Sequence, residues 1–295
     1  MIKLDFSVVG AAKCGTTALH HYLVNSPYLS LPNIKETNYF CVTELLDNCN
    51  GPGDNEFTKT KLISDQDTYV KLYNNKLIKG EVAPMYMYYP NVAERLYNNN
   101  SGMHIIFVLR NPIERAVSHY SHMIRDGRES LSLPEALRDE SVREAQHWEP
   151  SWLYSKVSNY LPQIENYLSV FPRKQLHFFK YEDFSNDNNK VPQYIHSLFG
   201  LQYNEIIKKV RLNITGTPKI KFLNYILNQP SRLRSGIKAI APKTLRVLLK
   251  NLLNEHNISH QGNEGKYPML ENIYNLEYYS RLGRITDLNL SNWVK

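Results

Sequence analysis

A lysine and two threonines occupy a short loop near the start of the chain, in the stretch FSVVGAAKCGTTALHHYL. The apolar residues before the loop are typical of a buried strand, and those after it of a helix. Backbone N–H groups at such a turn bind oxyanions, and the helix N-terminus adds partial positive charge. Lys13 contributes a full charge, and the hydroxyls of Thr16 and Thr17 can donate hydrogen bonds. Gly10 and Gly15 allow the backbone to approach a ligand closely, so the loop is predicted to bind a phosphate-like group.

The order of residues in this loop differs from that of the nucleoside-triphosphate loop. In the pattern G-x-x-x-x-G-K-[ST] the lysine follows the last glycine, whereas Lys13 precedes Gly15 by two positions. A kinase-like P-loop enzyme also needs an aspartate for magnesium, and no motif supplies one. This alternative is therefore the weaker one, and the loop favours another phosphate-like group.

A second anion site is predicted where the apolar run HIIFVLR ends in Arg110. The next residues, NPIERAVSHYSHMIRDG, predict a helix capped by Asn111, begun by Pro112 and ended by Gly127. Ser118 lies about two turns into that helix, so it can face the same pocket as Arg110. Arginine binds phosphate in a bidentate manner. Two anion sites at neighbouring strand ends favour a ligand that carries phosphate groups at both ends.

Several side chains are candidates for a general base. The segment LPNIKETNYF carries Glu36 beside Lys35, and the predicted strand KLIKGEVAP carries Glu81. The histidine candidates are His20, His104 and His119. The tyrosines of PMYMYYP can line an acceptor cleft, but core packing is the simpler interpretation for them.

These residues are positioned by a predicted alternation of strands and helices. We predict strands at Leu4–Val9, KLIKGEVAP, HIIFVLR and KQLHFFKYEDF, the last running into a loop. We predict helices at Thr16–Val24, PNVAERLYNNN, NPIERAVSHYSHMIRDG, about Ser155–Val170 and VPQYIHSLFGL, with a polar stretch at Thr43–Asp67. This order predicts an α/β fold: a mostly parallel, P-loop-like sheet flanked by helices.

The chain after about Asn213 has a different composition, rich in Lys, Leu and Asn. No strand is expected there, and KFLNYILNQ, KTLRVLLKNLLNEH and LEYYSRLGRITDL are expected to be helices. We therefore expect a single domain over residues 1–295, with an α/β core at 1–212 and a helical tail at 213–295 that folds back on it. The turn NITGTPKIK opens the tail and carries Gly216 and Lys219.

Composition limits the function classes. The 295 residues contain 35 Lys and Arg against 28 Asp and Glu, a net charge of +7 that favours anionic ligands. A non-enzymatic binder of nucleic acid or sulfated glycan would need a basic stripe with interleaved aromatics. The basic residues of the tail instead fit solvated helix faces: Arg232, Arg234, Lys238, Lys243, Arg246 and Lys250. No nucleic-acid partner is expected.

Three cysteines, Cys14, Cys41 and Cys49, are too few for a disulfide framework and lack partners for a zinc site. No run approaches the length of a membrane span, and Asp5 interrupts the first apolar run, which makes it a poor signal peptide. We expect a soluble protein in a reducing compartment, the cytoplasm.

Several of these stretches, in this order, resemble the sulfotransferases that use 3′-phosphoadenosine 5′-phosphosulfate (PAPS). VVGAAKCGTTAL resembles their 5′-phosphosulfate loop and FVLRNPIERAVSHY their 3′-phosphate motif. LPNIKETNYF is similar to the lysine-glutamate segment of carbohydrate sulfotransferases. Further similarities, some of them to bacterial members, lie in FPRKQLHFFKYEDF, SLFGL, NITGTPKIKFLNYIL and ITDLNLSNW.

The resemblance implies a fold, a reaction and roles for individual residues. It implies sulfonate transfer from PAPS, without metal, with 3′,5′-bisphosphoadenosine (PAP) as the product. Lys13 would stabilise the leaving group and Glu36 would be the base. The donor would be bound by the loop, the 3′-phosphate motif and the late turn: Lys13, Cys14, Gly15, Thr16, Thr17, Arg110, Ser118, Gly216 and Lys219.

The resemblance leaves the base and the acceptor open. The family usually has lysine after the position of Glu81, and Val82 stands there instead, so a second catalytic lysine is in doubt. Glu81 remains a possible base or partner of the base. The cytosolic small-molecule branch uses histidine, which keeps His119 as a possible base. The acceptor is a hydroxyl or amine of a carbohydrate, glycolipid or small natural product.

Overall fold

The computed structural model describes residues 2–58, 62–203, 217–218, 258–259 and 266–294. A five-stranded, wholly parallel sheet forms its centre, with strand order β2-β3-β1-β4-β5. The strands are Phe6–Gly10 (β1), Leu29–Ser30 (β2), Ile78–Val82 (β3), His104–Leu109 (β4) and Leu176–Lys180 (β5). The predicted parallel α/β fold is confirmed. The edge strand β2 lies within the stretch NSPYLSLP, where no strand was predicted from the sequence.

Helices flank the sheet. Those of the core are Thr16–Val24 (α1), Val42–Asp47 (α2), Asp54–Thr58 (α3), Gln66–Val70 (α4), Pro90–Asn99 (α5), Pro112–Arg125 (α6), Leu133–Ala145 (α7), Tyr154–Ser158 (α8), Tyr160–Val170 (α9), Tyr181–Asn186 (α10) and Lys190–Leu198 (α11). The side chain of Asn111 accepts hydrogen bonds from the backbone N–H groups of Ile113 and Glu114, which caps α6 as predicted.

Three predictions about the core need correction. The helix expected at about Ser155–Val170 is two helices, because the chain turns at Asn159. The residues after β5 form the helix α10 and not a loop. The polar stretch Thr43–Asp67 contains α2, α3 and the start of α4, and its Asp54 is fully buried. Composition missed these short helices because long-range hydrogen bonds, such as Trp152 Nε1 to Asp54 at 2.9 Å, hold them in place.

The core sits on both faces of the central strands. Phe6, Val8 and Ile106 are fully buried, as expected for a parallel sheet covered by helices. Helix α1 packs against α11, α5 packs against α9, and α6 packs against α8. The carboxyl ends of β1, β3 and β4 meet at one edge of the sheet, which brings three chemically distinct loops together.

The tail contains strand structure, contrary to expectation. Thr217–Pro218 (β6) and Ile258–Ser259 (β7) pair as antiparallel strands of two residues each. Pro268–Ile273 (α12) and Leu276–Thr286 (α13) are helices, so the expected helix in LEYYSRLGRITDL is confirmed. The helices expected in KFLNYILNQ and KTLRVLLKNLLNEH, and the residues Gly216 and Lys219, lie outside the described residues.

The last helix packs on the core. The Tyr278 hydroxyl accepts a hydrogen bond from the backbone N–H of Tyr160 at 2.9 Å. The Asn111 side-chain amide donates to the carbonyl of Trp293 at 3.0 Å, close to the start of α6. The end of the described chain therefore helps to fix the helix that carries Ser118.

Candidate functional site

A cavity of about 470 Å³ opens at the carboxyl ends of β1 and β4. Four parts of the chain line most of it. The β1–α1 loop and α1 contribute Ala12, Lys13, Gly15, Thr16 and Thr17; the segment before α2 contributes Lys35, Glu36 and Asn38; the turn after β3 contributes Pro84 and Met85; and Arg110, α6 and the turn after it contribute Arg110, Ser118, His119, Ser121, His122, Met123, Arg125, Asp126 and Arg128.

The β1–α1 loop is held in one shape by backbone geometry and packing. Lys13 and Gly15 both have left-handed backbones, with φ of 70° and 77°. The backbone N–H of Ala11 bonds to the carbonyl of Val108 on β4 at 2.8 Å. A Cβ at Gly10 would come within 2.7 Å of Met87, so glycine is required for this close approach.

The N-terminus of α1 faces the cavity. Gly15 is its N-cap residue, and no side-chain hydrogen bond caps the helix among the described residues. The first N–H groups of a helix have no intrahelical partner, so they are available to an anion. Thr16 and Thr17 lie at this end and line the same cavity. The predicted oxyanion cradle is therefore present as geometry.

The surroundings of Lys13 shift its pKa. Burial, and to a lesser extent the positive charge of Arg125, lower the pKa of its ammonium to about 8, while Asp126 opposes the shift. A cation that is desolvated among other cations gains more than a solvated one when an anion arrives. This environment therefore suits Lys13 to the binding of an anion.

Cys14 faces away from the cavity. Its thiol is fully buried and bonds to the carbonyl of Ala12 at 3.7 Å. Burial raises the pKa of this thiol to about 11, so it stays protonated. The structure therefore leaves the backbone N–H of Cys14, and not its side chain, for any contact with a ligand.

Arg110 and Ser118 line the cavity together, as their spacing in the sequence predicted. The Arg110 guanidinium bonds to the Glu114 carboxylate at 3.0 Å and lies 5.0 Å from the ring centre of Tyr181. The Glu114 side chain is 40% exposed, and such pairs are weak, so a ligand phosphate can compete for Arg110.

Glu36, on the segment before α2, also lines the cavity. Its backbone is left-handed, with φ of 62°, and its N–H bonds to the carbonyl of Val82 at the end of β3, at 3.2 Å. Its carboxylate is ion-paired with the ammonium of Lys35 and is 40% exposed. The structure therefore brings this carboxylate to the cavity that Lys13 lines.

The other candidate bases are placed differently. His119 lines the cavity but is 4% exposed and bonds to Arg115; burial holds its pKa well below the ordinary range, so it is neutral. Glu81 is 1% exposed and is not part of the lining. His20 bonds to the carbonyl of Pro32, and His104 bonds to His177; neither lines the cavity.

Sequence reasoning missed further residues of the cavity lining. His122, Arg125 and Asp126 are among them, and Arg128 and Glu149 follow them in the chain. Burial, together with the charge of Lys13, lowers the pKa of His122 to about 4. A signal was present: Ser118, His122 and Arg125 are spaced i, i+4, i+7, which places them on one face of α6.

The described residues contain no group of three His, Cys, Asp or Glu side chains that could hold a metal ion. Among them, no helix is long and apolar enough to cross a membrane.

The family model of the sulfotransferase domain matches residues 3–236 of the chain, which includes every cavity wall described above. The chain belongs to the sulfotransferase family. The resemblance seen in the sequence motifs is therefore confirmed, and with it the conclusion that the protein is an enzyme. Members of this family use PAPS as the sulfonate donor.

A solved structure is similar to this sulfotransferase over its whole length. The sulfotransferase from Alicyclobacillus acidocaldarius is 28% identical, covers 99% of both chains and superposes with a TM-score of 0.71.

Two curated relatives match shorter parts. The membrane-associated sulfotransferase kil1 of Dictyostelium discoideum is 34% identical over 121 residues, which are 41% of this chain and 23% of the relative. Heparan sulfate glucosamine 3-O-sulfotransferase 5 of Mus musculus is 25% identical over 172 residues, 58% and 45% of the two chains. The chain thus spans less than half the length of either relative.

The lowered pKa of Lys13 predicts how stability depends on pH. An unfolded lysine has a pKa of about 10.4, so between about pH 8 and that value the unfolded chain binds more protons than the folded one. The folded state therefore gains stability as pH rises through this window. Lys13→Met, which removes the buried charge, should be more stable than the wild type below about pH 8, and the difference should shrink towards about pH 10.

Urea unfolding of both proteins at several pH values measures this difference. Lys3→Met, which removes an exposed lysine, is the matched control. A stability difference for Lys13→Met that stays constant across the window would contradict the buried-cation assignment.

Proposed function

We propose that this sulfotransferase transfers the sulfonate group of PAPS to a hydroxyl or amine of a carbohydrate, glycolipid or small natural product by in-line displacement. One observation carries the proposal: Lys13 is desolvated at the N-terminus of α1, in a cavity that also holds Arg110 and the Glu36 carboxylate. A donor cradle, a second phosphate site and a carboxylate thus share one space.

The two basic regions fit the charge pattern of the donor. PAPS supplies a sulfonate group on a good leaving group and carries a further phosphate at its 3′ position. The N–H groups at the start of α1, with Thr16 and Thr17, are suited to the 5′ end of the donor. Arg110 and Ser118 are suited to the 3′-phosphate.

We assign Lys13 to the leaving oxygen. Negative charge grows on that oxygen as sulfonate departs, and a preorganised cation there stabilises the transition state more than the ground state. Burial of Lys13 strengthens the effect because little water screens its charge.

We assign Glu36 to the general base. A base must be deprotonated and must reach the acceptor proton, and the Glu36 carboxylate lines the cavity while pairing with Lys35. The pairing with Lys35 orients the carboxylate. His119 is neutral, as a histidine base must be, and it also lines the cavity, so it is the competing base. Its burial and its bond to Arg115 favour a packing role.

The acceptor class is inferred from sequence similarity. The segment around Glu36 resembles that of carbohydrate sulfotransferases, and one relative is named a heparan sulfate glucosamine 3-O-sulfotransferase. These similarities favour a sugar hydroxyl among the acceptors. The late turn with Gly216 and Lys219 completes the donor site in this proposal.

We also infer a reducing, cytoplasmic location. All three cysteines are buried free thiols, as expected where disulfides do not form. Fractionation of cells that express the protein tests this location.

The first test is sulfonate transfer itself. Mass spectrometry of an acceptor panel incubated with PAPS should reveal products heavier by one sulfonate group. Lys13→Ala should lower the rate by about 10²–10³ because one stabiliser of developing charge is lost. PAP binding, measured by calorimetry, should weaken far less. A variant that turns over near the wild-type rate would contradict the role of Lys13.

Arg110→Ala and Ser118→Ala test the second phosphate site. Both should raise the dissociation constant of PAP because contacts to the 3′-phosphate are lost, by about tenfold or more for the arginine. The loss should shrink for adenosine 5′-phosphosulfate, which lacks that phosphate. Arg281→Ala, which removes an arginine paired with Glu165 outside the cavity lining, is the control. If the affinities for PAP and for adenosine 5′-phosphosulfate fall equally, these residues act on folding and not on the 3′-phosphate.

Glu36→Gln tests the base. The amide is nearly isosteric, so folding and PAP affinity should be kept, while transfer to a hydroxyl should fall by about 10²–10⁴. The acidic limb of the pH–rate profile should vanish because a carboxylate must be ionised to accept a proton. Retention of that limb in Glu36→Gln, together with its loss in His119→Gln, would make histidine the base.

A further inference from the structure

A buried carboxylate lies directly beneath the segment that carries Glu36. Glu81 on β3 is 1% exposed, and three hydroxyls donate hydrogen bonds to it. Thr37, the neighbour of Glu36, donates to one oxygen, Tyr86 donates to the same oxygen at 3.1 Å, and Tyr69 donates to the other at 2.7 Å. We call Glu81 with these three residues the hydroxyl hub.

Each hydroxyl of the hub accepts a hydrogen bond from outside as well as donating inward. The Tyr86 hydroxyl accepts from the backbone N–H of Phe40 at 3.1 Å, and the Thr37 hydroxyl accepts from that of Tyr39 at 3.4 Å. The Tyr69 hydroxyl bonds to that of Tyr73 at 2.9 Å, and because Tyr69 donates to Glu81, Tyr73 is the donor of that pair. An ionised carboxylate accepts from all three hydroxyls at once, which fixes their directions.

The segment above the hub has a costly backbone. Glu36 and Asn38 are both left-handed, with φ of 62° and 55°. Such a conformation is unfavourable for a residue with a Cβ and persists where surrounding contacts determine it. The hub provides such contacts, because the backbone N–H groups of Tyr39 and Phe40, which follow Asn38, donate hydrogen bonds to its hydroxyls. Stacking of Tyr39 on Tyr69, with ring centres 4.0 Å apart, adds another.

We propose that Glu81 is the positioning residue for the catalytic carboxylate: through Thr37 and Tyr86 it holds the backbone of residues 36–40 so that Glu36 stays at the cavity wall. The proposal rests on the proposed role of Glu36 as base. Glu81 itself does not touch the reacting groups because its oxygens are occupied by the hub and lie outside the cavity lining.

Burial and hydrogen bonding act in opposite directions on the Glu81 carboxyl. Burial raises its pKa, and the hydrogen bonds from Thr37, Tyr69 and Tyr86 oppose that rise. The three hydrogen bonds therefore offset part of the cost of burying this group.

Glu81→Gln tests the positioning role because the NH2 group of the new amide would face a hydroxyl that donates to Glu81 in the wild type. That hydroxyl must turn away, which disturbs the hydrogen bonds that connect the hub to the backbone of Tyr39 and Phe40. We expect kcat to fall by up to about 10²-fold, the cost of misplacing a reacting group by about 1 Å. The dissociation constant of PAP should not change, because the donor site lies on α1 and α6.

The deciding measurement is a double-mutant cycle. If Glu81 acts through Glu36, Glu81→Gln should cause no further loss of kcat in a Glu36→Gln background. A full additional loss there, or an equal loss of PAP affinity, would overturn the proposal and leave Glu81 a residue of general stability.

Thr37 supplies a second test that does not depend on the folding of Glu81→Gln. Thr37→Val removes the hydroxyl and should lower kcat, whereas Thr37→Ser keeps it and should restore kcat. Ser155→Ala is the matched control, since Ser155 also donates to a buried glutamate, Glu140, outside the cavity lining, and it should leave kcat unchanged. Equal kcat for Thr37→Val and Thr37→Ser would overturn the proposal.

The outcomes separate this inference from the proposed function. An inactive Glu36→Gln with a fully active Glu81→Gln would refute only the positioning role. A fully active Glu36→Gln would refute the base assignment and the positioning role with it. A wild-type protein that neither binds PAP nor transfers sulfonate would refute the proposed function itself.

Discussion

The site depends on one electrostatic constraint: a lysine ammonium lies partly desolvated among other charged groups. Lys13 is placed there by the β1–α1 loop, which turns through two left-handed residues. The cost of that desolvated charge appears as the lowered pKa of Lys13, near 8. An anion at the N-terminus of α1 would relieve the cost, so the structure is prepared for an anionic ligand before one arrives. The parallel sheet serves this constraint by directing β1 and β4 to the same edge.

The two sides of the cavity are built in different ways. The proposed donor side uses regular elements, the start of α1 after β1 and the first half of α6, which Asn111 caps. The other side uses an irregular segment around Glu36, which makes hydrogen bonds to β3 and to the hydroxyl hub. In the proposed function, donor recognition thus relies on secondary structure, whereas placement of the base relies on a buried polar network. Such a network specifies geometry because each of its members has a partner.

Membership of the sulfotransferase family accounts for the fold and the reaction class. The bacterial relative matches the full length, so the architecture is shared beyond the cavity. The curated relatives match this chain over less than half of their own length.

The sequence by itself determined the parallel sheet, the bounds of α1 and the presence of Lys13, Arg110 and Ser118 in one cavity. These features follow from local signals: apolar runs, a Pro-initiated helix and strand ends that must meet at one edge of a sheet. Tertiary structure alone decided which carboxylate reaches the cavity. Glu36 and Glu81 were both candidates in the sequence. Glu81 is the buried one, and the hydroxyls of Thr37, Tyr69 and Tyr86 donate hydrogen bonds to it. It also decided that the Cys14 thiol turns inward and that short helices interrupt the polar stretch after Thr43. The physical reason is the same in each case: burial and hydrogen bonding between residues distant in the chain outweigh local preference, and a single sequence does not reveal those partners.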